Sequence, residues 1–246
     1  VVQFIDSTDR DEVGAMLRAD ESIDLMVPRG GADLIRRVRD EARMPVVAGG
    51  IGVCHTYVDE DADLQMAVDI VVDAKTVRPS VCNAMDTLLV HAAVAERFLP
   101  AVADALGARG VTLHVDERAA RLVGSGAPSV PVTLEDYDRE WLSLDCSVKV
   151  VDSLDEAMDH IASVDGGGHS EAIVTSSYPR SQRFLREVDA AAVFVNASTY
   201  FNDGGQFGLG CEVGVSTQKM HARGPMGLRE LTSYKWIVLG DGHTRG

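Results

Sequence analysis

Short apolar runs alternate with amphipathic segments along most of the chain. The apolar runs have the length and the β-branched composition of buried strands, and the segments between them place apolar residues on one helical face. The predicted strands are VVQFID, IDLMVP, MPVVAGG, VCHTYVD, TLLVH, VTLHV, SVKVVD, EAIVT, AAVFVN and YKWIVLGDG. The predicted helices are STDRDEVGAMLRAD, ADLIRRVRDEAR, DEDADLQMAVDIVVDAKT, VAERFLPAVADALGARG, LDEAMDHIASV and SQRFLREVD. This alternation predicts an α/β fold built on a parallel sheet.

Two segments lack either periodicity. Residues 125–141, SGAPSVPVTLEDYDREW, are rich in turn-forming residues and are predicted to leave the sheet as an irregular excursion. Residues 201–227 contain many glycines together with several apolar side chains. A long irregular segment of this composition in a compact protein is typical of an ordered functional loop.

The charge of the chain narrows the range of its partners. The formal net charge of the 246 residues is −15 at pH 7, which repels phosphodiester backbones and acidic lipid surfaces. Nucleic acid and membranes are therefore not expected as partners, and small anions require local arginine side chains and backbone amides. No apolar run reaches the roughly 18 residues of a membrane span, and no signal sequence is visible, so the chain is predicted to be cytoplasmic.

The four cysteines lie at positions 54, 82, 146 and 211 and lack the close Cys or His spacing of a zinc site, so no metal is predicted. Cys82 follows the loop VRPSV and is predicted to enter a short helical turn, where amide dipoles would lower the pKa of a thiol. From the residue alone, either a nucleophile or a small buried hydrophobic side chain is possible. Cys54 precedes His55 directly, but neighbouring strand residues point to opposite faces, so Cys54 is predicted to be structural.

Three stretches of the sequence resemble the gamma-glutamyl phosphate reductases, or glutamate-5-semialdehyde dehydrogenases, of the aldehyde dehydrogenase superfamily. They are VPRGGADLI, AGGIGVCHTYVDEDADLQMAVDIVVDAKTVRPSVCN and VNASTYFNDGGQFGLGCEVGVSTQKMHARGPMGLRELTSYKW. The resemblance implies an aldehyde dehydrogenase-like α/β fold with a parallel-sheet catalytic domain and part of a cofactor-binding domain. It also implies an NADPH-dependent reduction of L-glutamyl 5-phosphate to L-glutamate 5-semialdehyde with release of phosphate, a step of proline biosynthesis.

The resemblance assigns Cys82 as the nucleophile, because a thiolate can displace phosphate and form a thioester that a hydride reduces. It implies that Arg29, Gly30 and Gly31 contact the NADP cofactor; by themselves these residues indicate only a turn before a helix. Glu140, in REWLSLD, aligns with the superfamily glutamate that binds the nicotinamide ribose, and a solvated acidic residue is the alternative.

The stretch VNASTYF is expected to bind the amino acid end of the substrate through Asn196, Ser198 and Thr199, the alternative being that these residues only form a turn. The family usually has arginine where this chain has Tyr200, which puts carboxylate binding at that position in question.

Hydrolytic aldehyde dehydrogenases activate water with a glutamate two residues before a glycine pair. Alignment of that pair on Gly49 and Gly50 places Val47 at the position of the glutamate. Because an apolar side chain cannot act as a general base, attack of water on the thioester is expected to be slow, while exchange with phosphate remains available.

The resemblance also divides the chain. Residues 1–48 are expected to be the C-terminal part of the cofactor-binding domain, residues 49–220 the catalytic domain with an oligomerisation excursion near 124–145, and residues 221–246 a C-terminal segment. Because family members carry a further N-terminal segment, the chain is interpreted as their C-terminal portion. A homo-oligomer is expected, with glutamate 5-kinase as pathway neighbour. The alternatives are the reductase half of a fused pyrroline-5-carboxylate synthetase and a truncated, catalytically inert chain.

Overall fold

A parallel β-sheet forms the centre of the structure, a computed structural model that describes residues 2–49 and 52–246. Its strands are β1 (His55–Val58), β2 (Thr87–His91), β3 (Thr112–Val115), β4 (Ser129–Pro131), β5 (Asp145–Val151), β6 (Ser170–Val174) and β7 (Ala192–Val195). They lie in the order β4-β3-β5-β2-β1-β6-β7, and every neighbouring pair is parallel. A separate antiparallel pair joins β8 (Gly214–Ser216) to β9 (Gly224–Met226). The predicted α/β fold with a parallel sheet is confirmed.

In the described residues, two helices precede β1 and the others each lie between two successive strands of the parallel sheet. They are α1 (Arg10–Met16), α2 (Ala32–Glu41), α3 (Leu64–Thr76), α4 (Ala92–Gly107), α5 (Glu117–Ala120), α6 (Leu134–Tyr137), α7 (Leu154–Ser163) and α8 (Tyr178–Glu187). Several begin at a polar residue whose side chain accepts hydrogen bonds from the first free amides: Asp63 at α3, Ser153 at α7 and Ser177 at α8. In the described part of the chain, no helix has the length and apolar composition needed to cross a membrane.

Helices cover both faces of the sheet because successive strand side chains point to opposite sides. Tyr57 and Ile173 belong to a buried cluster with Phe184 of α8, and α7 supplies further members of that cluster. Val58, the neighbour of Tyr57, belongs to a second cluster on the other face, together with Phe98 of α4 and side chains of α3. The apolar runs that form β1, β2, β5 and β6 are therefore strands that are buried on both faces.

The predicted excursion at residues 125–141 is wrong in part. Residues Ser129–Pro131 form β4, which pairs with β3 as the edge strand of the sheet, and α6 follows directly. An edge strand tolerates Pro131 because only one side of its backbone must form hydrogen bonds. The segment therefore extends the sheet instead of leaving it.

Four predicted strands are absent or reduced. Residues 2–6 and 234–242 contain no strand and are exposed, while Val1 lies outside the described residues. The runs IDLMVP and MPVVAGG contribute only one parallel bridge, between Met26 and Val46. A strand requires a neighbour that accepts its backbone hydrogen bonds, and the local pattern of a sequence does not report whether that neighbour exists.

Candidate active site

Cys82 lies in the turn between α3 and β2, at the edge of the sheet where β1, β2 and β6 begin. It is half-buried and lines a cleft of about 270 Å³. The other residues of the cleft wall are Arg29, Arg78, Val81, Asn83, Tyr200, Asp203, Gln206, Glu212 and Gly214. The cleft therefore brings the predicted nucleophile together with one predicted cofactor residue, Arg29, from a segment more than fifty residues earlier in the chain.

The electrostatics around Cys82 differ from the prediction. Burial raises the pKa of the Cys82 thiol to about 11, and the negative charges of Glu140 and Glu212 act in the same direction. The backbone N–H of Cys82 itself and the Arg29 guanidinium oppose this rise in pKa. The predicted lowering by a helical turn is wrong because residues 79–84 form turns rather than a helix, and burial outweighs the amide contribution.

Glu140 lies close enough to Cys82 for its negative charge to raise the pKa of the thiol. It is therefore not simply a solvated residue of an acidic stretch. Burial and the neighbouring Asp86 raise the pKa of Glu140 to about 7, while a hydrogen bond from the Gly52 backbone lowers it. Asp86 is itself buried and accepts hydrogen bonds from the backbone N–H groups of Cys54, at 3.1 Å, and Trp141, at 2.8 Å. Asp86 thus joins the segment that carries Glu140 to the beginning of β1.

The turn at residues 29–31 leads directly into α2. Gly31 is the N-cap residue of α2, and no side chain caps the first amides of this helix. A Cβ atom on Gly31 would meet no atom within 4 Å, so a ligand has free access to the backbone there. Free amides at a helix N-terminus, beside the exposed Arg29, fit the phosphate of a dinucleotide cofactor.

The residues of VNASTYF form contacts within the chain. The Asn196 side chain bonds to the backbone N–H and C=O groups of Thr175, and Ser198 accepts the N–H of Tyr200. Thr199 is fully buried and donates to the backbone oxygen of Asn83. None of these three side chains lines the described cleft. Their assignment as substrate ligands stays a prediction that this geometry does not support.

The cleft also contains chemistry that the sequence interpretation did not use. Arg78 lies four residues before Cys82 and, like Arg29, forms no ion pair with another described residue. Glu212 lies on the glycine-rich segment and accepts the N–H of Gly204 at 2.8 Å. Because Arg78 is close to Cys82 in the sequence, its place in the cleft could have been predicted. No feature of the sequence indicated that Glu212 lies there.

Val47 lies outside the cleft wall, packed with Ala222 and Met226 in a small buried cluster. Its side chain is 1% exposed and has no polar atom that could accept a proton from water. Gly49 is described, and a Cβ there would lie 2.9 Å from the Val215 oxygen. Gly50, the second glycine of the predicted pair, lies outside the described residues.

Cys54 lies beneath Cys82 and is fully buried, and its Sγ atom is 3.5 Å from Nδ1 of His169. The neighbouring His55 points elsewhere and bonds to Glu171 at 2.9 Å. The two adjacent side chains thus have separate partners, as the alternation of strand side chains predicts. Burial, with contributions from Asp86 and Glu171, raises the pKa of Cys54 well above its usual value.

Comparison with known proteins identifies the relatives of the chain. Residues 1–121 match the family model described as the aldehyde dehydrogenase family. The chain is 58% identical over 247 aligned residues to a gamma-glutamyl phosphate reductase of Dehalococcoides mccartyi strain CBDB1, with 100% of the chain covered. It is 56% identical to a protein of the same name from Proteus mirabilis, with 99% covered. The chain spans 58% of the length of each of these relatives.

Solved structures agree with this result. The crystal structure of a gamma-glutamyl phosphate reductase from Thermotoga maritima superposes with a TM-score of 0.93 at 49% identity, covering 99% of this chain and 58% of that one. An acetylating aldehyde dehydrogenase from Geobacillus thermoglucosidasius shares the fold alone, with a TM-score of 0.74 at 17% identity, covering 97% of this chain and 61% of that one. The chain therefore belongs to the aldehyde dehydrogenase family, in which it is similar to the C-terminal portion of gamma-glutamyl phosphate reductases.

Proposed function

We propose that the chain carries the catalytic cysteine of an NADPH-dependent reductase that converts L-glutamyl 5-phosphate to L-glutamate 5-semialdehyde and phosphate. The observation that carries the proposal is the position of Cys82 in a cleft with two arginines, beside the free N-terminus of α2. The similarity to gamma-glutamyl phosphate reductases supports the same reaction.

The first chemical step is attack of the Cys82 thiolate on the acyl carbon, with departure of phosphate and formation of a thioester. A thiolate is the right nucleophile because sulfur is a good leaving group when the product aldehyde is released. Arg78 supplies positive charge for the departing phosphate, and an arginine can bind phosphate with two parallel hydrogen bonds. The thiol must lose its proton first, which the negative charges of Glu140 and Glu212 oppose in the chain alone.

The cleft has charges of both signs, which matches a substrate that is an amino acid. Asp203 and Glu212 are the acidic groups of the cleft wall, and we assign them to the substrate ammonium group. Arg78 serves the anionic groups of the substrate, and Arg29 is assigned to the cofactor. We therefore assign the recognition of the amino acid to the glycine-rich segment rather than to Asn196, Ser198 and Thr199.

The cofactor contacts are assigned to Arg29, Gly30, Gly31 and Glu140. When bound, a reduced nicotinamide supplies the hydride for the thioester. The backbone amides that begin α2 would bind a phosphate of the dinucleotide. Glu140 would accept a hydrogen bond from the nicotinamide ribose. Val47 provides no general base, so phosphate rather than water is the partner of the thioester in the reverse direction.

Further assignments follow from the same family likeness. The chain acts in the cytoplasm as part of a homo-oligomer, on an acyl phosphate that glutamate 5-kinase supplies. Residues 1–48 belong to the cofactor-binding domain, residues 49–220 to the catalytic domain with the segment near 124–145 contributing to oligomer contacts, and residues 221–246 to a C-terminal segment.

Two measurements on the purified chain test the function. The first is phosphate- and NADP-dependent oxidation of glutamate 5-semialdehyde, which Cys82→Ser should reduce by roughly three orders of magnitude. The second is intact-mass analysis after incubation with acetyl phosphate as a small acyl donor, where we expect one acetyl group that hydroxylamine removes as a thioester. The exposed Cys211→Ser variant is the matched control and should behave like the wild type.

Acylation at another residue, or near-normal activity of Cys82→Ser, would contradict the proposal. The mass measurement does not require a bound nicotinamide, so it tests the nucleophile even where the chain alone does not turn over.

A further inference from the structure

Two buried side chains from distant parts of the chain hold the turn that carries Cys82. The Cys54 thiol, before β1, donates to the backbone oxygen of Cys82 at 3.1 Å. The Thr199 hydroxyl, in the short 3-10 helix Thr199–Phe201, donates to the backbone oxygen of Asn83 at 2.8 Å. Cys54 and Thr199 are both 0% exposed. The successive carbonyl groups of Cys82 and Asn83 are thus each held by one buried side chain.

The contact between the turn and the 3-10 helix is reciprocal. The Asn83 side-chain amide donates to the backbone oxygens of Tyr200 and Asn202, each at 3.1 Å. Asn202 in turn donates to the Ser170 hydroxyl at 2.8 Å, at the first residue of β6. Because all these groups are buried or nearly so, each lost hydrogen bond leaves a polar atom without a partner.

The Cys82 carbonyl also has little space in which to turn. A Cβ atom on Gly52 would lie 2.9 Å from the Cys82 oxygen and 2.9 Å from Cδ2 of His169. The carbonyl is therefore packed against the Gly52 backbone as well as bonded to Cys54. Since the peptide unit is planar and trans, this packing also fixes the direction of the Asn83 N–H, which points opposite to the carbonyl.

The orientation of this turn matters for the thiol, because the backbone N–H of Cys82 lowers the pKa of that thiol, against the effect of burial. This N–H acts on the sulfur only while the backbone at Cys82 keeps its present orientation. A turn that can rotate would lose this effect and would present the sulfur to the cleft for only part of the time.

We propose that Cys54 and Thr199 are positioning residues for Cys82: they touch no substrate, and they hold the Cys82 and Asn83 carbonyls so that the sulfur faces the cleft. This role rests on the proposed function of Cys82 as the nucleophile. Under this proposal Thr199 has a role other than substrate binding, and Cys54 has a role in addition to packing in the core.

The test measures alkylation of Cys82 by iodoacetamide as a function of pH, with the modified peptide identified by mass spectrometry. Thr199→Val removes the hydroxyl at nearly constant shape, whereas Thr199→Ser keeps it. We expect Thr199→Val to raise the pH midpoint of alkylation by about one unit, which slows alkylation at pH 8 about tenfold, because the freed turn could rotate and the Cys82 N–H, which lowers the pKa of the thiol, would act on it for only part of the time. Thr199→Ser should restore the wild-type midpoint, and Cys54→Ala and Cys54→Ser should form a second pair with the same pattern.

Thr232→Val is the matched control, because this exposed threonine also donates its hydroxyl to a backbone oxygen, that of Arg229, and neither residue lines the cleft. All variants are compared at a temperature well below their melting temperatures. An unchanged midpoint in Thr199→Val, with only a lower melting temperature, would show a purely structural role and overturn the proposal. An equal shift in Thr199→Val and Thr199→Ser would overturn it as well.

The same data separate this inference from the proposed function. If acetyl phosphate fails to acylate wild-type Cys82 while Thr199→Val still shifts the alkylation midpoint and Thr199→Ser restores it, the function is wrong and the positioning role stands. If acylation occurs and the midpoints do not differ, the function stands and the positioning role is wrong.

Discussion

At the scale of single residues, charges of opposite sign act on the Cys82 thiol. Glu140 and Glu212 raise its pKa, and Arg29 lowers it, from different segments of the chain. Burial is the largest contribution, so the thiol is mostly protonated at neutral pH in the chain alone. Under the proposed function, substrate and cofactor binding would change this balance, because the phosphate, ammonium and ribose groups are assigned to the same charged side chains.

This balance predicts opposite effects for two substitutions. Glu140→Gln removes a negative charge and should lower the pKa of Cys82, so that iodoacetamide alkylates the thiol roughly three to ten times faster at pH 8. Arg29→Gln removes the opposing positive charge and should slow alkylation by a similar factor.

The exposed residues Glu96 and Arg97 on α4 provide charge-matched controls. Glu96→Gln and Arg97→Gln change the net charge equally but lie outside the cleft wall. If either control shifts the alkylation rate as much as its counterpart, net charge rather than local position determines the reactivity of Cys82.

At the scale of elements, the attachment of the edge strand β4 depends on a close approach of two backbones. A Cβ on Gly107, the last residue of α4, would lie 1.9 Å from the oxygen of Gly126. A Cβ on Gly126 would lie 2.8 Å from the backbone nitrogen of Asp104. The loop that leads into β4 therefore rests directly on the last turn of α4.

Gly107→Ala should destabilise the protein, although alanine is the better helix former. Steric overlap with the Gly126 backbone costs roughly 1–3 kcal/mol or more of unfolding free energy, which exceeds the gain of about 1 kcal/mol in helix propensity. Urea denaturation measures the difference, with Gly240→Ala as control, because a Cβ there meets only an ordinary contact at 3.8 Å. A Gly107→Ala protein that is as stable as the wild type would show that the loop moves away without cost.

The elements differ in how well local sequence predicted them. The alternation of apolar runs and amphipathic segments was sufficient for α3, α4, α7 and α8 and for the strands that they cover. It was not sufficient for residues 234–242, whose apolar pattern is that of a strand but whose backbone has no neighbouring strand in the described structure. Strand formation depends on a partner that is distant in sequence, whereas a helix satisfies its own hydrogen bonds.

The candidate site shows the same limit. The family stretch predicts Cys82 as the nucleophile, and the cleft brings it together with Arg29. The contacts that hold the Cys82 turn were not predictable, because Cys54 and Thr199 are separated from their acceptors by 28 and 116 positions. Only the assembled sheet edge brings the three segments together.

At the scale of the whole molecule, the parallel sheet buries ionisable groups whose effects on stability oppose each other. Burial lowers the pKa of His169 to about 4 and that of His160 to about 3. Burial raises the pKa of Asp86 to about 6. The histidine contributions to stability are present at neutral pH and are lost as the pH falls below about 6.5, whereas the Asp86 contribution is present in acid and is lost as the pH rises through about 6.

Substitution of one histidine should separate these opposing contributions. In the folded wild type His160 stays neutral because it is buried and accepts a hydrogen bond from Lys149 at 3.2 Å, while in the unfolded chain it binds a proton below about pH 6.5. His160→Gln cannot take up that proton, so its stability relative to the wild type should improve by roughly 2 kcal/mol between pH 7 and pH 4.5. Urea denaturation at several pH values measures the change, with the exposed His243→Gln as control, since that side chain contacts water in both states. A pH-independent difference between His160→Gln and the wild type would mean that His160 takes up its proton inside the folded protein, and that the space around Tyr137 and His55 admits water.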